Sequence, residues 1–156
     1  MITANMIADY FVWAEDVLLQ ISSTLSQEEF LRDLGHGGNL FDIYYHLATD
    51  HVEWYQYVTG DELYKFPENK TDLTGKDLLS IISETNLKWK KLAEKRPFEI
   101  VEIKEGENKR TLILGELIFH INNHAAYHRG QIALALRILG KEVKMTDYVP
   151  YLWEKD

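Results

Sequence analysis

Apolar residues recur three or four positions apart through four long stretches of the chain, a spacing that predicts helices with one buried face. In residues 5–25 the stripe is Ala8, Phe11, Val12, Glu15, Leu18, Leu19 and Ser22, closed by Ser22-Ser23-Thr24. Ser26-Gln27-Glu28-Glu29 has the form of a capping box, so a short helical turn opens there and ends at the loop Gly35-His36-Gly37-Gly38. From Asn39 to Thr59 no Gly or Pro interrupts the chain, and Gly60 stands where a C-cap belongs. Residues 61–73 hold Pro67 and show no clear period. Thr74 then caps a third helix through Arg96, with Leu78, Leu79, Ile82, Thr85, Trp89 and Leu92 in register, ended by Pro97. A fourth runs from about Gly115 to Leu139, stops at Gly140, and carries Arg137 in its last turn where a cation suits the dipole.

Phe98 to Leu114 breaks this pattern, interspersing Phe98, Ile100 and Ile103 with charges and placing Gly106 mid-segment, as a β-hairpin or an ordered loop would. The tail, Lys141–Asp156, holds Tyr148, Val149, Tyr151, Leu152 and Trp153 and is expected to pack along the helices. The fold expected is therefore all-α: one domain over residues 1–156, an antiparallel four-helix bundle with a small hairpin or loop insert between helices three and four. The long segments after helices two and three allow an unusual connection order.

Composition narrows the function classes. With 46% hydrophobic and 27% charged residues the chain is ordinary globular material. No apolar run approaches the ~20 residues of a bilayer span, and Met1–Tyr10 lacks a basic n-region, so the expected location is the cytoplasm and no membrane partner is expected. The absence of cysteine excludes a disulfide frame, a thiolate metal site and a cysteine nucleophile together, leaving His, Asp and Glu as metal ligands. A net charge of −8 without a basic cluster argues against nucleic acid as a partner.

The six histidines fall in two regions: His36, His46 and His51 around helix two, and His120, His124 and His128 on helix four. The inward stripe of helix four reads Leu117, Ile121, His124, His128, Ile132, Ala135, Leu139, so two imidazoles stand in an otherwise apolar seam. Residues four apart lie one turn above each other, and His124 and His128 can aim nitrogens at a common point, as a helix does when it grips a divalent metal. A single such histidine is more often a hydrogen-bonded core residue. A pair left unpaired would cost on the order of a few kcal/mol, which a metal removes. His120, one turn earlier and beside the stripe, is placed outside the ligand set. Helix two offers His46, Asp50, His51 and Glu53 for a third ligand. Periodicity favours His51, which continues Leu40, Tyr44, Leu47; His46 shares the adjacent face with Ile43, Asp50, Glu53 and Tyr57.

The run His124-Ala-Ala-Tyr-His128-Arg129-Gly130-Gln131, followed by Leu136-Arg137-Ile138-Leu139-Gly140, resembles the signature of the DinB/YfiT-like family of metalloenzymes. Tyr10-Phe-Val-Trp13-Ala, Leu25-Ser-Gln-Glu-Glu-Phe30, Asn39-Leu-Phe-Asp-Ile-Tyr-Tyr-His46 with Trp54 and Gly60, and Thr146-Asp147-Tyr148-Val-Pro-Tyr151 extend the resemblance over nearly the whole chain. It implies a four-helix bundle holding nickel or zinc on three histidines, which by matched position are His46, His124 and His128. His51 falls where the family often has an acidic residue, so the resemblance replaces the periodicity reading. It also implies, for some relatives, transferase or isomerase chemistry dependent on a low-molecular-weight thiol.

Three imidazoles and an open position describe a catalytic rather than a closed structural site. A divalent transition metal there activates a water or a cosubstrate thiol. Asp50, on the face of His46, and Glu53 are the candidates for acid or base work. Arg129 and Gln131 are read as structural, Arg129 pairing with an acid on a neighbouring helix or at a subunit interface and Gln131 bonding across the bundle, while Gly130 lets helices approach. The aromatics Tyr44, Tyr45, Trp54, Tyr55 and Tyr57 are read mainly as core. The expected function is a metal-dependent, thiol-using transferase acting on a small molecule. The alternatives are a metal-dependent hydrolase and a non-catalytic metal-binding or partner-binding bundle, with homodimerisation through helix faces.

Overall fold

A computed structural model of the protein describes residues 2–35 and 38–155. His36 and Gly37 of the expected glycine-rich loop, with Met1 and Asp156, lie outside the described residues. The helices are α1 (Ala4–Ser22), α2 (Gln27–Leu31), α3 (Leu40–Thr59), α4 (Gly75–Lys95), α5 (Leu114–Ile138) and α6 (Tyr148–Lys155); the strands are β1 (Ile100–Glu105) and β2 (Asn108–Ile113). The four long helices match the four periodic stretches to within three residues at each end. None of the described helices is long and apolar enough to cross a membrane.

Side chains close the starts of the first four helices. Thr3 Oγ1 accepts from Met6 N, and Asn39 Oδ1 from Asp42 N. Ser26 with Glu29 and Thr74 with Asp77 form reciprocal capping boxes, each supplying acceptors to two otherwise unpaired N–H groups. α3 ends at Gly60, whose φ of +74° is costly for any residue bearing a Cβ.

Packed around the bundle, α1 meets α4 and α5, and α3 also meets α4 and α5, so α1 and α3 are diagonal partners. Two of the three connections between long helices therefore cross the bundle, from α1 to α3 through α2, and from α4 to α5 through the hairpin. The core between them holds Phe11, Leu18, Phe30, Tyr44, Leu78, Ile82, Trp89 and Leu117, each at most 1% exposed. Burying one such side chain is worth about 1.5–3 kcal/mol, which stabilises a helix far more than its caps do. Trp89 also donates its indole N–H to the His51 carbonyl, tying α4 to α3.

Residues 100–113 form an antiparallel hairpin, with Ile103 opposite Arg110 and Val101 opposite Leu112. Its edge is pinned to α3 by Tyr57, whose hydroxyl donates to Glu102 O and accepts from Lys104 N. The tail packs as expected, but as a helix and only in part. Tyr151 is buried and Tyr10 donates its hydroxyl to Thr146 O, whereas Trp153 is 75% exposed.

Candidate metal centre

α3 carries His46 and α5 carries His124 and His128, and the contact between these two helices converges the three rings. Nε2 of His124 lies 3.3 Å from Nε2 of His46 and 3.2 Å from Nε2 of His128. One ligand atom from each ring falls within 4.8 Å of the other two. His46 is exposed, His124 partly buried and His128 buried, so the cluster is open to solvent at the His46 side.

The opposite ring nitrogens are held by polar groups. His128 Nδ1 is 2.7 Å from Gln131 Oε1, one turn on along α5, so the ring donates its Nδ1 proton there and presents a lone pair at Nε2. His124 Nδ1 is 3.1 Å from Asp50 Oδ2, a close electrostatic contact in which the N–H is not directed along the line of a good hydrogen bond. No other partner serves either atom among the described residues. With protons on both Nδ1 atoms, the lone pairs of His124 and His128 face each other 3.2 Å apart, an arrangement that is repulsive until an electrophile stands between them. Three imidazoles on one tetrahedral divalent ion, with bonds of about 2.0–2.1 Å, stand roughly 3.3 Å apart at nitrogen, so the donor set and its spacing fit such an ion. Burial, opposed by the Gln131 hydrogen bond, pushes the His128 pKa below its ordinary 6.5, which keeps the ring in the neutral form a metal requires.

His51 follows its periodicity inward but is absent from this cluster. It is fully buried one helical face away, its Nδ1 3.1 Å from Asn86 Oδ1 and its ring edge-on to Phe11. The amide of Asn86 donates in turn to Glu15 Oε2 at 2.5 Å. Desolvation drives His51 down to about 4 and Glu15 up to about 7, so their 3.8 Å approach is not an ion pair at mildly acid pH. α1, α3 and α4 each contribute one member of this buried layer, and Arg129 of α5 faces Glu15 across a narrow void. Glu15 and Asn86 were not singled out as polar core residues. The available signal was a carboxylate standing in the apolar stripe of α1.

Of the other candidates, Asp50 backs His124, whereas Glu53 is exposed on α3 and is outside the three-histidine group. His120 is exposed, its ring stacked 6.4 Å from His124 and edge-on to Trp54 at 5.8 Å. Four structural expectations change. Gln131 bonds His128 on its own helix rather than reaching across the bundle, because i and i+3 share a face. Arg129 is 4% exposed and meets the Tyr10 hydroxyl at 3.4 Å instead of forming an ion pair. A Cβ on Gly130 would meet nothing within 4 Å among the described residues, so no packing among them uses its smallness. Tyr57, read as core, is 47% exposed and serves the hairpin.

The DinB family model matches residues 1–156. Protein DinB of Bacillus subtilis (strain 168) is 25% identical over 158 aligned positions, covering 93% of this chain and 91% of that protein. With the match running the whole length of a helical bundle that gathers three histidines at one point, the chain belongs to the DinB family.

Proposed function

We propose that the protein is a divalent-metal-dependent enzyme whose metal, nickel or zinc, is held by His46, His124 and His128, and that it transfers groups to or from a low-molecular-weight thiol. The observation that carries the metal reading is the approach of the Nε2 atoms of His46 and His128 to that of His124 at 3.3 and 3.2 Å. A transition metal held by three neutral imidazoles retains open positions and acidifies a thiol or a water. The chain's own residues supply the rest. Gln131 keeps the proton of His128 at Nδ1, the Asp50 carboxylate stands 3.1 Å behind Nδ1 of His124, and the exposed ring of His46 leaves the approach from solvent open. The thiol reading is supported by the family resemblance and by a chain without cysteine, in which the sulfur must arrive with a cosubstrate.

Elemental mass spectrometry on untagged protein tests the site. About one equivalent of transition metal per chain is expected, lost in His46→Ala and in His124→Ala and kept in His51→Ala. Absence of metal after reconstitution with zinc and nickel would leave the three histidines as polar residues and remove the enzyme reading. Turnover of an electrophile by loaded protein that rises with added thiol supports the transferase, and turnover indifferent to thiol turns the assignment to a hydrolase.

A further inference from the structure

One helical turn from the triad, the chain forms a second concavity. The inner face of the hairpin, set by the alternation of its strands, carries Val101, Ile103 and Leu112 toward the bundle, and the residue opposite Ile103 on that same face is Arg110. Three apolar residues and one guanidinium therefore share the face turned inward. Between this face, α3 and the start of α5 lies a cleft of about 430 Å³ whose lining includes Trp54, Ile103, Arg110, Leu112, Leu117 and His120. That volume is in the range of small-molecule sites, about 300–1,000 Å³. The lining is mostly apolar, with an indole on one wall. Arg110 makes no ion pair or hydrogen bond among the described residues, while Lys104 and Lys109, on the opposite face of the hairpin, both reach Glu102. Glu116, also at the cleft, has its carboxylate engaged by the Ile113 N–H at 2.9 Å. His120 borders the cleft on one side and stacks toward His124 on the other.

We propose that this cleft binds a small organic anion with an apolar body, its carboxylate on Arg110 and its body between Trp54 and Leu117, with His120 separating it from the triad. A guanidinium fork matches a carboxylate in two parallel hydrogen bonds, and an apolar wall beside it raises the worth of that pair by excluding water. A larger cleft, about 790 Å³ between α1 and α6, offers no comparable signal. Lys90 and Lys155 both lie against Asp9, its third lysine, Lys144, shares the lining with four carboxylates, and its Trp13 indole donates to Glu154. Assigning the anion as the substrate of the triad rests on the metal reading above; its binding in the cleft does not.

The test is calorimetric titration of 3-phenylpropionate and of its neutral amide, 3-phenylpropionamide, into full-length protein, both metal-stripped and zinc-loaded. In both forms the acid is expected to bind about tenfold or more tightly than the amide. Arg110→Gln, at an exposed strand position, brings the acid down to the level of the amide, and Trp54→Ala weakens both ligands. Equal binding of acid and amide, undiminished acid binding in Arg110→Gln, or no binding of either ligand at millimolar concentration overturns the proposal. Acid binding that requires zinc and ignores Arg110 also overturns it, since the carboxylate is then on the metal. Acid discrimination that survives in stripped protein upholds the cleft even where the metal assignment fails.

Discussion

Asp50 Oδ2 lies 3.1 Å from His124 Nδ1, on the side of the ring away from the nitrogen that faces His46 and His128. A carboxylate in that position favours a proton on Nδ1, the tautomer that offers Nε2 to the cluster. Its spacing in sequence, four residues after His46, lets one turn of α3 supply both a candidate ligand and the group that orients another.

Replacing Asp50 by Asn removes the charge and keeps the shape. Metal affinity is expected to fall about 10- to 100-fold, measured by competition with a zinc-chelating dye, with little change in the thermal midpoint of stripped protein. An unchanged affinity would show that His124 needs no carboxylate behind it.

Glu15 makes stability fall as pH rises. Below about pH 4.5 its carboxyl is protonated in both the folded and the unfolded chain, so burial costs little. Between 4.5 and about 7 the unfolded chain releases the proton and the folded chain retains it, and above about 7 the full penalty stands, on the order of 3 kcal/mol. His51 acts at the acid side. The unfolded chain protonates it below 6.5 while the folded chain resists to about 4, so stability is lost as pH falls through that window. Glu15→Gln deletes the first effect, and its melting temperature relative to the natural protein is expected to climb from pH 5 to pH 8. A difference that stays flat with pH would mean that Glu15 does not hold its proton in the core.

Two glycines inside helices predict opposite signs. A Cβ on Gly75, in the first turn of α4, would overlap the ring of Phe30, which is fully buried. Gly75→Ala is expected to cost about 1–3 kcal/mol by overpacking, although alanine is the better helix former. Gly130 sits in ordinary helical conformation with open space around it, so Gly130→Ala is expected to gain up to about 1 kcal/mol. Thermal melts of both variants read the contrast directly.

Tyr57→Phe removes a hydroxyl that bonds β1 twice. At an exposed site the expected loss is about 1 kcal/mol, with faster hydrogen exchange at the Lys104 amide, whose acceptor is gone. Protection at Lys104 equal to that of the natural protein would assign the hairpin's position to its packing on Leu117 alone.

Helices were legible because their signals are local: three-to-four spacing, Ser and Thr caps, and the glycines after Thr59 and Leu139. The pairing of His124 with His128 was legible for the same reason, since one turn of helix relates them whatever surrounds it. The choice between His46 and His51 was not a local matter. Periodicity brings His51 inward, and it is inward, but a bundle has more than one interior direction, and the face of α3 that meets α5 differs from the face turned to α4 and, across the core, to α1. His51 points to Phe11 and Asn86, and His46 to His124. Family resemblance separated the two where spacing could not. Likewise, the alternation of residues 100–113 fixes which hairpin residues share a face, but only the Tyr57 anchor and the packing on α5 set that face, with Arg110 on it, beside a cleft. Local backbone chemistry in the chain itself determined the elements and the helix-four histidine pair. The diagonal order of the helices, a sum of long-range burial that no short window of sequence contains, decided which third histidine and which buried carboxylate stand near them.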